Sequence, residues 1–534
     1  MNIAKPLARA AAAIVFAWIA LAAPAPAQGD PAAPATAADV RAIMESLKQS
    51  ASREELMLRQ GESANRKLDA IGSKGGGAEA PGADVLAAME KRMAELEGKL
   101  AAAPAAAAPA SGDTATALAT LQKNVNGAWI LLAGALVFMM QAGFCMLELG
   151  LARAKNSINI CMKNFLDFCV GSIGFLLIGF AIMFGPTVGG WFGAGNAWLS
   201  TIPGNDPFWG FWFFQVVFAG TAATIVSGAM AERTKFVGYL IYVVFLSALI
   251  YPLVGHWAWG SLGGGFGYGG TKGWLEAMGF IDFAGSSVVH GVGGACALAG
   301  ILVVGARHGR FDAKGRPLMI VGHNLPMATL GTFLLWFGWF GFNAGSTLVA
   351  DGTIGRIAVN TTIAPAVGAV SAMLSMWLIQ GRPDLSMVLN GSLGGAVGIT
   401  ACCAVVTPSS AVVIGLVAGL VATFGTLLLE KLGVDDAVGA VPVHLFNGWW
   451  GTLSAALFHE GGFTAERLGV QALGTFSMTA AAFAGAFAVF KVVDMLIGLR
   501  ATDEEQLNGL DFAEHSANAY PEFVTSEQKL ADFS

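Results

Sequence analysis

The chain is 534 residues long, 55% hydrophobic and only 12% charged, with a formal net charge of −6 and a mean hydropathy of +0.62. So few charges, against ~25% in a soluble domain, define a polytopic membrane protein, and the absence of a basic patch excludes a nucleic-acid partner. Cys145, Cys161, Cys169, Cys296, Cys402 and Cys403 lie in or beside apolar segments, at spacings that suit neither a disulfide framework nor a metal site. No cofactor is expected, and no nucleophile–base pair suggests an enzyme.

Residues 1–27 read as a secretory signal, with Lys5 and Arg9 ahead of an apolar run and Ala25-Pro26-Ala27 as a small-x-small cleavage pattern. The alternative is an uncleaved membrane helix; Pro24 and Pro26 cut the run short and favour cleavage. Either way the chain continues outside the cytoplasm. Residues 28–125 form a separate extension rich in Ala, Pro and Gly. Leu86, Met89, Met93, Leu96 and Leu100 repeat at heptad spacing, which gives either a short helical coiled coil or a stretch of weakly ordered spacer. The linker AAAPAAAAPASG then leads to the membrane domain, 126–499.

Eleven apolar segments follow, at about 127–151, 164–186, 208–230, 236–256, 283–305, 324–346, 357–380, 386–406, 410–431, 439–458 and 472–498. Each is long enough for ~30 Å of hydrocarbon. Arg153, Lys155, Lys163, Arg233, Lys235, Arg307, Arg310, Lys314, Arg316, Arg382, Lys431 and Arg500 fall on one set of alternate connections. Only Lys272, Arg356 and Arg467 fall on the other. That bias predicts the N-terminus out and the C-terminus in, with residues 500–534 as a cytoplasmic tail.

Eleven divides as five, five and one, and an odd repeat length inverts the second half about an axis in the membrane plane. Of seven histidines, only His290 and His444 lie well inside spans, the fifth and the tenth. They are corresponding elements, which the axis brings together near the midplane, and an intramembrane ionisable residue marks a functional site by default. Asp282 opens the fifth span eight positions before His290, roughly 12 Å along a helix. It suits both an N-cap and the attraction of a cation. Gln215 is a polar candidate in the third span, and Glu148 reads as structural, paired with Arg153.

The strings AERTKF, HWAWG, DFAGSSVVHGVGG, HNLPM, WFGWFGFNAGS, VDDAVGAVPVHLFNG and LRATDEEQLNGLDFAEHSANAY stand in order. Together they resemble the Amt/Mep/Rh ammonium transporter family, Amt branch, over about residues 127–520. Residues 28–125 are not covered. The resemblance implies an all-α membrane fold and a homotrimer in the inner (plasma) membrane, each subunit with its own pore through eleven helices. By motif, Phe218 and Phe342 are similar to the family's stacked ring gate. Trp259 and Ser346, with Phe218, are similar to its outer ammonium-binding site, Asp282 to the acidic residue near it, and His290 and His444 to the pore pair. The tail is implied to couple subunits, with a PII-type regulatory protein as a partner at the inner face. Ser516 stands where the family usually has glycine, at a turn whose backbone angles serine resists.

This chemistry makes sense physically. Stripping water from a small cation is costly, and an aromatic face returns roughly 0.5–2 kcal/mol. Ammonium that leaves a proton at the mouth crosses an apolar path as ammonia, and neutral imidazoles offer it a donor and an acceptor. Whether the proton follows is left open. The plainer alternatives are an interfacial belt role for Trp259 and core packing for the phenylalanines. A transporter is the leading reading, with an ammonium sensor and an Rh-like gas channel as alternatives.

Overall fold

In hydrocarbon every backbone N–H and C=O must be satisfied within the chain, so apolar segments of this length become helices. The computed structural model describes residues 112–195 and 207–521; the expected signal and heptad seam lie outside them. The chain divides into a unit Ala25–Val125 and a unit containing Asn126–Ser534. In chain order the helices are α1 Gly112–Leu151, α2 Ala154–Phe184, α3 Phe208–Ala229, α4 Phe236–Trp259, α5 Ser286–Val304 and α6 Leu325–Ala344. These are followed by α7 Thr353–Gln380, α8 Leu385–Thr400, α9 Pro408–Lys431, a two-part α10 (Val441–Phe446 and Asn447–Leu457) and α11 Ala465–Ile497. Two short helices, α12 Asp503–Asn508 and α13 Leu510–His515, form the tail. A two-residue β1, Thr187–Val188, pairs antiparallel with β2, Phe192–Gly193.

All eleven expected segments are helical, and among the described residues nine helices are long and apolar enough to cross a membrane. The other two are shorter. At ~1.5 Å per residue the 16-residue α8 covers about 24 Å. It stops because its end is tied to the start of α5. Ala401 N donates to Ser286 Oγ (2.7 Å) and Ala284 N to Thr400 O (3.2 Å). In α10 the expected span begins with a π-helical turn.

Burial places α3 and α5 at the centre, enclosed nearly all round, while α7 and α11 keep most of their surface open. Exposed Phe165, Phe333, Leu496 and Met495 are a liability in water and the required surface in lipid. Close crossings depend on glycine: a Cβ on Gly391 of α8 would lie 2.6 Å from the carbonyl oxygen of Gly368 in α7.

The two ends of the bundle differ. At the charged end, Arg153 pairs with Glu232, and Arg307 bridges Glu232 (3.4 Å) and Asp435 (2.8 Å). Arg310 holds Asp435 (3.2 Å) and Glu430, while Arg233 donates to the carbonyls of Ala229, Ala231, Gly305 and Asp435. Burial alone would raise the Asp435 carboxyl; hydrogen bonds from Arg307 and the charges of Arg307 and Arg233 outweigh it and hold it well below the usual carboxylate range. The pairing expected between Arg153 and Glu148 is not formed. Glu232 has φ of 72°, which turns the chain after α3 and brings its carboxylate under Arg153 instead.

The tail is stitched to this end. Arg500 donates to Val304 O and Ala306 O, Asn159 N to Asp511 Oδ1 (2.8 Å), Leu510 N to Asn156 Oδ1 (3.0 Å), and Phe236 N to Glu514 Oε1 (2.9 Å). Ser516 ends α13 in the left-handed conformation (φ 48°, ψ 39°), so the turn expected of glycine is kept by a residue that pays about 1–2 kcal/mol for it. The opposite, aromatic end carries Trp191, Trp257 and Trp274 in mutual contact, with Trp257 Nε1 donating to Trp191 O (2.8 Å).

Candidate functional site

Two helices start the same way. Ahead of α5, Asp282 Oδ1 accepts from the backbone N–H groups of Gly285 (2.9 Å) and Ser286 (2.8 Å), and Oδ2 from those of Ser287 (2.9 Å) and Val288 (2.8 Å). Ahead of α10, Asp436 Oδ1 accepts from Gly439 and Ala440 (3.0 Å each), and Oδ2 from Val441 (2.7 Å). Each carboxylate satisfies donors that a helix N-terminus otherwise leaves orphaned. Each is followed at the third position by a left-handed glycine, Gly285 (φ 109°) or Gly439 (φ 82°), a conformation that a β-carbon would strain. A π-helical turn comes next, Ser286–Gly291 or Val441–Phe446, and carries the histidine eight positions after the aspartate. The pattern Asp-x-x-Gly-x-x-x-x-His thus occurs twice, at 282–290 and 436–444. Asp436 was not singled out from the sequence, although this spacing was there to find it.

The two histidines meet. His290 and His444 are buried, with rings 5.2 Å apart and inclined by 18°, and their Nδ1 atoms are 3.2 Å apart. Such a bond fixes opposite tautomers in the neutral pair: one Nδ1 carries the proton and the other accepts it. One Nε2 is therefore an acceptor and the other a donor. His290 Nε2 is buried without a protein partner. Glycine makes the approach possible, since a Cβ on Gly294 would lie 2.5 Å from Leu445 N and one on Gly448 2.5 Å from Ser286 O.

From this pair toward the aromatic end runs a ladder of rings. His290 stacks on Trp339 (5.2 Å) and Phe342 (5.4 Å), Phe342 stacks on Phe218 (4.0 Å, 20°), and Phe218 meets Trp259 edge-on (6.1 Å). Phe342 sits in the π-helical turn Phe340–Ala344 that closes α6. Trp339, one turn earlier, is a participant that sequence reasoning missed; in WFGWFGFNAGS nothing separates its tryptophan from core packing.

Above the Phe218–Phe342 stack is a cavity of ≈ 300 Å³ lined by Gln215, Phe218, Trp259, Glu276, Asp282 and Ser346. Trp259 Nε1 donates to Asp282 O (2.7 Å), which fixes its ring beside the cavity. Ser346 Oγ donates to Phe342 O (2.7 Å), leaving its lone pairs free to accept. Gln215 is buried with Oε1 unpartnered. Both Asp282 oxygens are occupied as caps, so its charge acts on the cavity through the helix start rather than by open contact. Glu276, not expected from the sequence, adds a carboxylate held by Ser261 N (3.1 Å) and Ser261 Oγ. The four residues expected at the outer site, Trp259, Ser346, Phe218 and Asp282, line this one cavity together with the pore candidate Gln215, and Phe342, His290 and His444 follow beneath it. Beyond His444, toward the charged end, lies a small cavity of ≈ 20 Å³ bordered by Phe144, Glu148, Asn390, Val438 and His444.

An aromatic-lined cavity, a closed pair of rings and two buried imidazoles thus follow one another within a bundle of apolar helices. The chain belongs to the ammonium transporter family: the model described as Ammonium Transporter Family matches residues 128–520. This is a family of transporters, not of enzymes. The chain is 47% identical over 450 residues to ammonium transporter Amt2 of Archaeoglobus fulgidus, covering 77% of this chain and 92% of that protein. Among solved structures it is similar to one described as a Sensor Amt Protein, with 40% identity and a TM-score of 0.71 over 74% of this chain and 99% of that one. It is also similar to Mep2 of Candida albicans, with 26% identity and a TM-score of 0.66 over 76% and 92% of the two chains.

Proposed function

We propose that the protein carries ammonium across the membrane by binding it at the outer aromatic site, removing a proton, and passing ammonia along the histidine pair. The observation that carries this reading is the single line from Trp259 through the Phe218–Phe342 stack to His290 and His444. In the vestibule, the Trp259 and Phe218 rings and the Ser346 and Gln215 oxygens replace part of the lost hydration. Glu276 and the Asp282 start of α5 raise the local cation concentration. Between the rings and the histidine pair the described residues offer aromatic faces and imidazoles rather than a ladder of carboxylates or carbonyls, so potassium, which has no proton to leave, is turned back. Neutral ammonia donates to one imidazole and accepts from the other.

In this reading all eleven helices traverse the bilayer as a five-plus-five inverted repeat and one more. The charged end faces the cytoplasm, residues 1–27 direct the N-terminus outward, and 28–125 stand outside as an accessory extension. Three subunits assemble, each with its own pore, and the tail is where a PII-type protein would act. The test is uptake of ¹⁵N-ammonium by proteoliposomes. His290→Ala and His444→Ala each cut it at least tenfold while assembly is kept; wild-type rates in the double variant would end the histidine mechanism.

A second reading is favoured by the similarity to the structure described as a Sensor Amt Protein. There the site binds ammonium and conducts little. Saturable binding without uptake in the same liposomes would select it.

A further inference from the structure

Glu148 is the acid that the mechanism above leaves unused. It lies on α1 and is almost fully buried, at 2% exposure. Arg153, the basic residue expected to neutralise it, is engaged with Glu232 instead. What Glu148 has is a hydrogen bond from Asn164 Nδ2 to Oε2 (2.8 Å). Asn164 in turn accepts from Thr224 Oγ1 (2.8 Å) and contacts Ser227 Oγ (3.4 Å). No basic group pairs with it directly, Lys163 acting only through its charge, and burying a carboxylate among amide and hydroxyl dipoles is expensive; hydrophobic residues fill such a place more cheaply. The second observation is its position. Glu148 and His444 line the same ≈ 20 Å³ cavity, on the side of the histidine pair away from the rings. That volume admits about one water molecule, enough to bridge an imidazole nitrogen and a carboxylate oxygen.

We propose that Glu148 is the proton acceptor on the inner side of the pore, taking from the histidine pair the proton that ammonium leaves behind. The inference rests on the transport reading and adds the fate of the charge. Ammonium in the outer cavity gives up one proton, which moves to the free imidazole nitrogen beneath the rings, and becomes ammonia. The pair passes a proton on through Nδ1, and Glu148 is converted from carboxylate to carboxylic acid. It then releases the proton toward the charged end, where ammonia takes one up again, so one positive charge crosses per ammonium. Glu148 is three residues from the end of α1, about 4.5 Å of helix from the charged end. The ionisable groups around it are Cys145 on its own helix, Lys163 and Asp167 on α2, Tyr239 on α4 and His444 on α10. Lys163 Nζ is committed to Thr234 O (2.7 Å), and Asp167 is held by Gln141 (2.7 Å) and Tyr239 (2.9 Å). Of Glu148, Lys163 and Asp167, Glu148 alone borders the cavity with His444.

The experiment measures current and ¹⁵N-ammonium uptake on the same proteoliposomes, made with the full-length protein, Glu148→Gln and Glu148→Asp. Glutamine keeps the acceptor for Asn164 and removes the titrating group. The expected result is a charge-to-ammonium ratio lowered at least tenfold in Glu148→Gln and partly restored in Glu148→Asp. A Glu148→Gln ratio equal to wild type overturns the proposal, as does a parallel loss of current and uptake in both variants, which marks a structural residue. Uptake without current in the wild type overturns it while leaving transport standing. No uptake in the wild type removes both.

Discussion

Gly294→Ala tests whether the spacing of the histidine pair governs passage. Gly294 lies one turn past His290 on α5, against the backbone that carries His444. A β-carbon there would sit 2.5 Å from Leu445 N, 2.8 Å from Leu445 Cβ and 2.9 Å from Leu445 Cα, where ordinary contact begins at 3.4 Å. The shortfall of about 0.9 Å falls on backbone, which cannot swing aside like a side chain, so α10 must move away. The Nδ1 atoms are already 3.2 Å apart, the upper end of good hydrogen-bond geometry, and half of that shift breaks the bond. Overpacking costs about 1–3 kcal/mol, and the better helix propensity of alanine returns up to about 1 kcal/mol. The net loss leaves a folded protein. The expected outcome is at least tenfold slower ammonium uptake at unchanged oligomeric state on size exclusion. Gly355→Ala on α7, where a β-carbon meets nothing within 4 Å, should keep wild-type uptake. Wild-type uptake by Gly294→Ala would refute the dependence on spacing.

Asp435→Asn strands Arg307 and Arg310 without their shared buried carboxylate, and should cost about 3–5 kcal/mol, seen as a lower unfolding temperature in detergent. Because the folded Asp435 value is depressed, its contribution is fully present above the ordinary carboxylate pKa of about 3.9 and is lost as pH falls through the lower folded value. Acid titration should therefore leave the cluster intact until pH drops below the usual carboxylate range; earlier loss would contradict the pairing. Ser516→Gly should relieve about 1 kcal/mol of left-handed strain and slow hydrogen exchange across α12 and α13; unchanged exchange would place the strain elsewhere. Trp259→Leu keeps apolar bulk but removes the ring face, so potassium should compete better with ammonium. Unaltered competition would make Trp259 a scaffold for Asp282 only.

What could be read from the sequence was whatever a single helix or a repeated spacing encodes. The apolar segments, the lysine and arginine bias and the placement of His290 and His444 in corresponding helices needed no contact between distant residues. The vestibule residues came through motifs, and their gathering around one cavity is the outcome. Less visible were partners chosen by a turn of backbone: Glu232 rather than Glu148 reaches Arg153 because of one left-handed residue after α3. Trp339 and Glu276 were hidden for a different reason. A tryptophan in an aromatic run and a glutamate in the four-residue helix Trp274–Ala277 carry no periodicity that marks them out from packing. The shortness of α8 was equally hidden, because its end is set by a hydroxyl on α5 more than a hundred residues away.

The Phe218–Phe342 stack has a kinetic consequence. With ring centroids 4.0 Å apart and both rings buried, nothing the size of ammonia fits between them. On the proposed transport reading this conformation is shut, and each crossing would wait for a ring to swing away and back. Flux then counts gate openings, not the width of a hole. As the vestibule fills, further substrate adds nothing to the opening rate, so uptake levels off with concentration. A passage of this design would saturate as a carrier does without requiring its helices to alternate between two faces of the membrane.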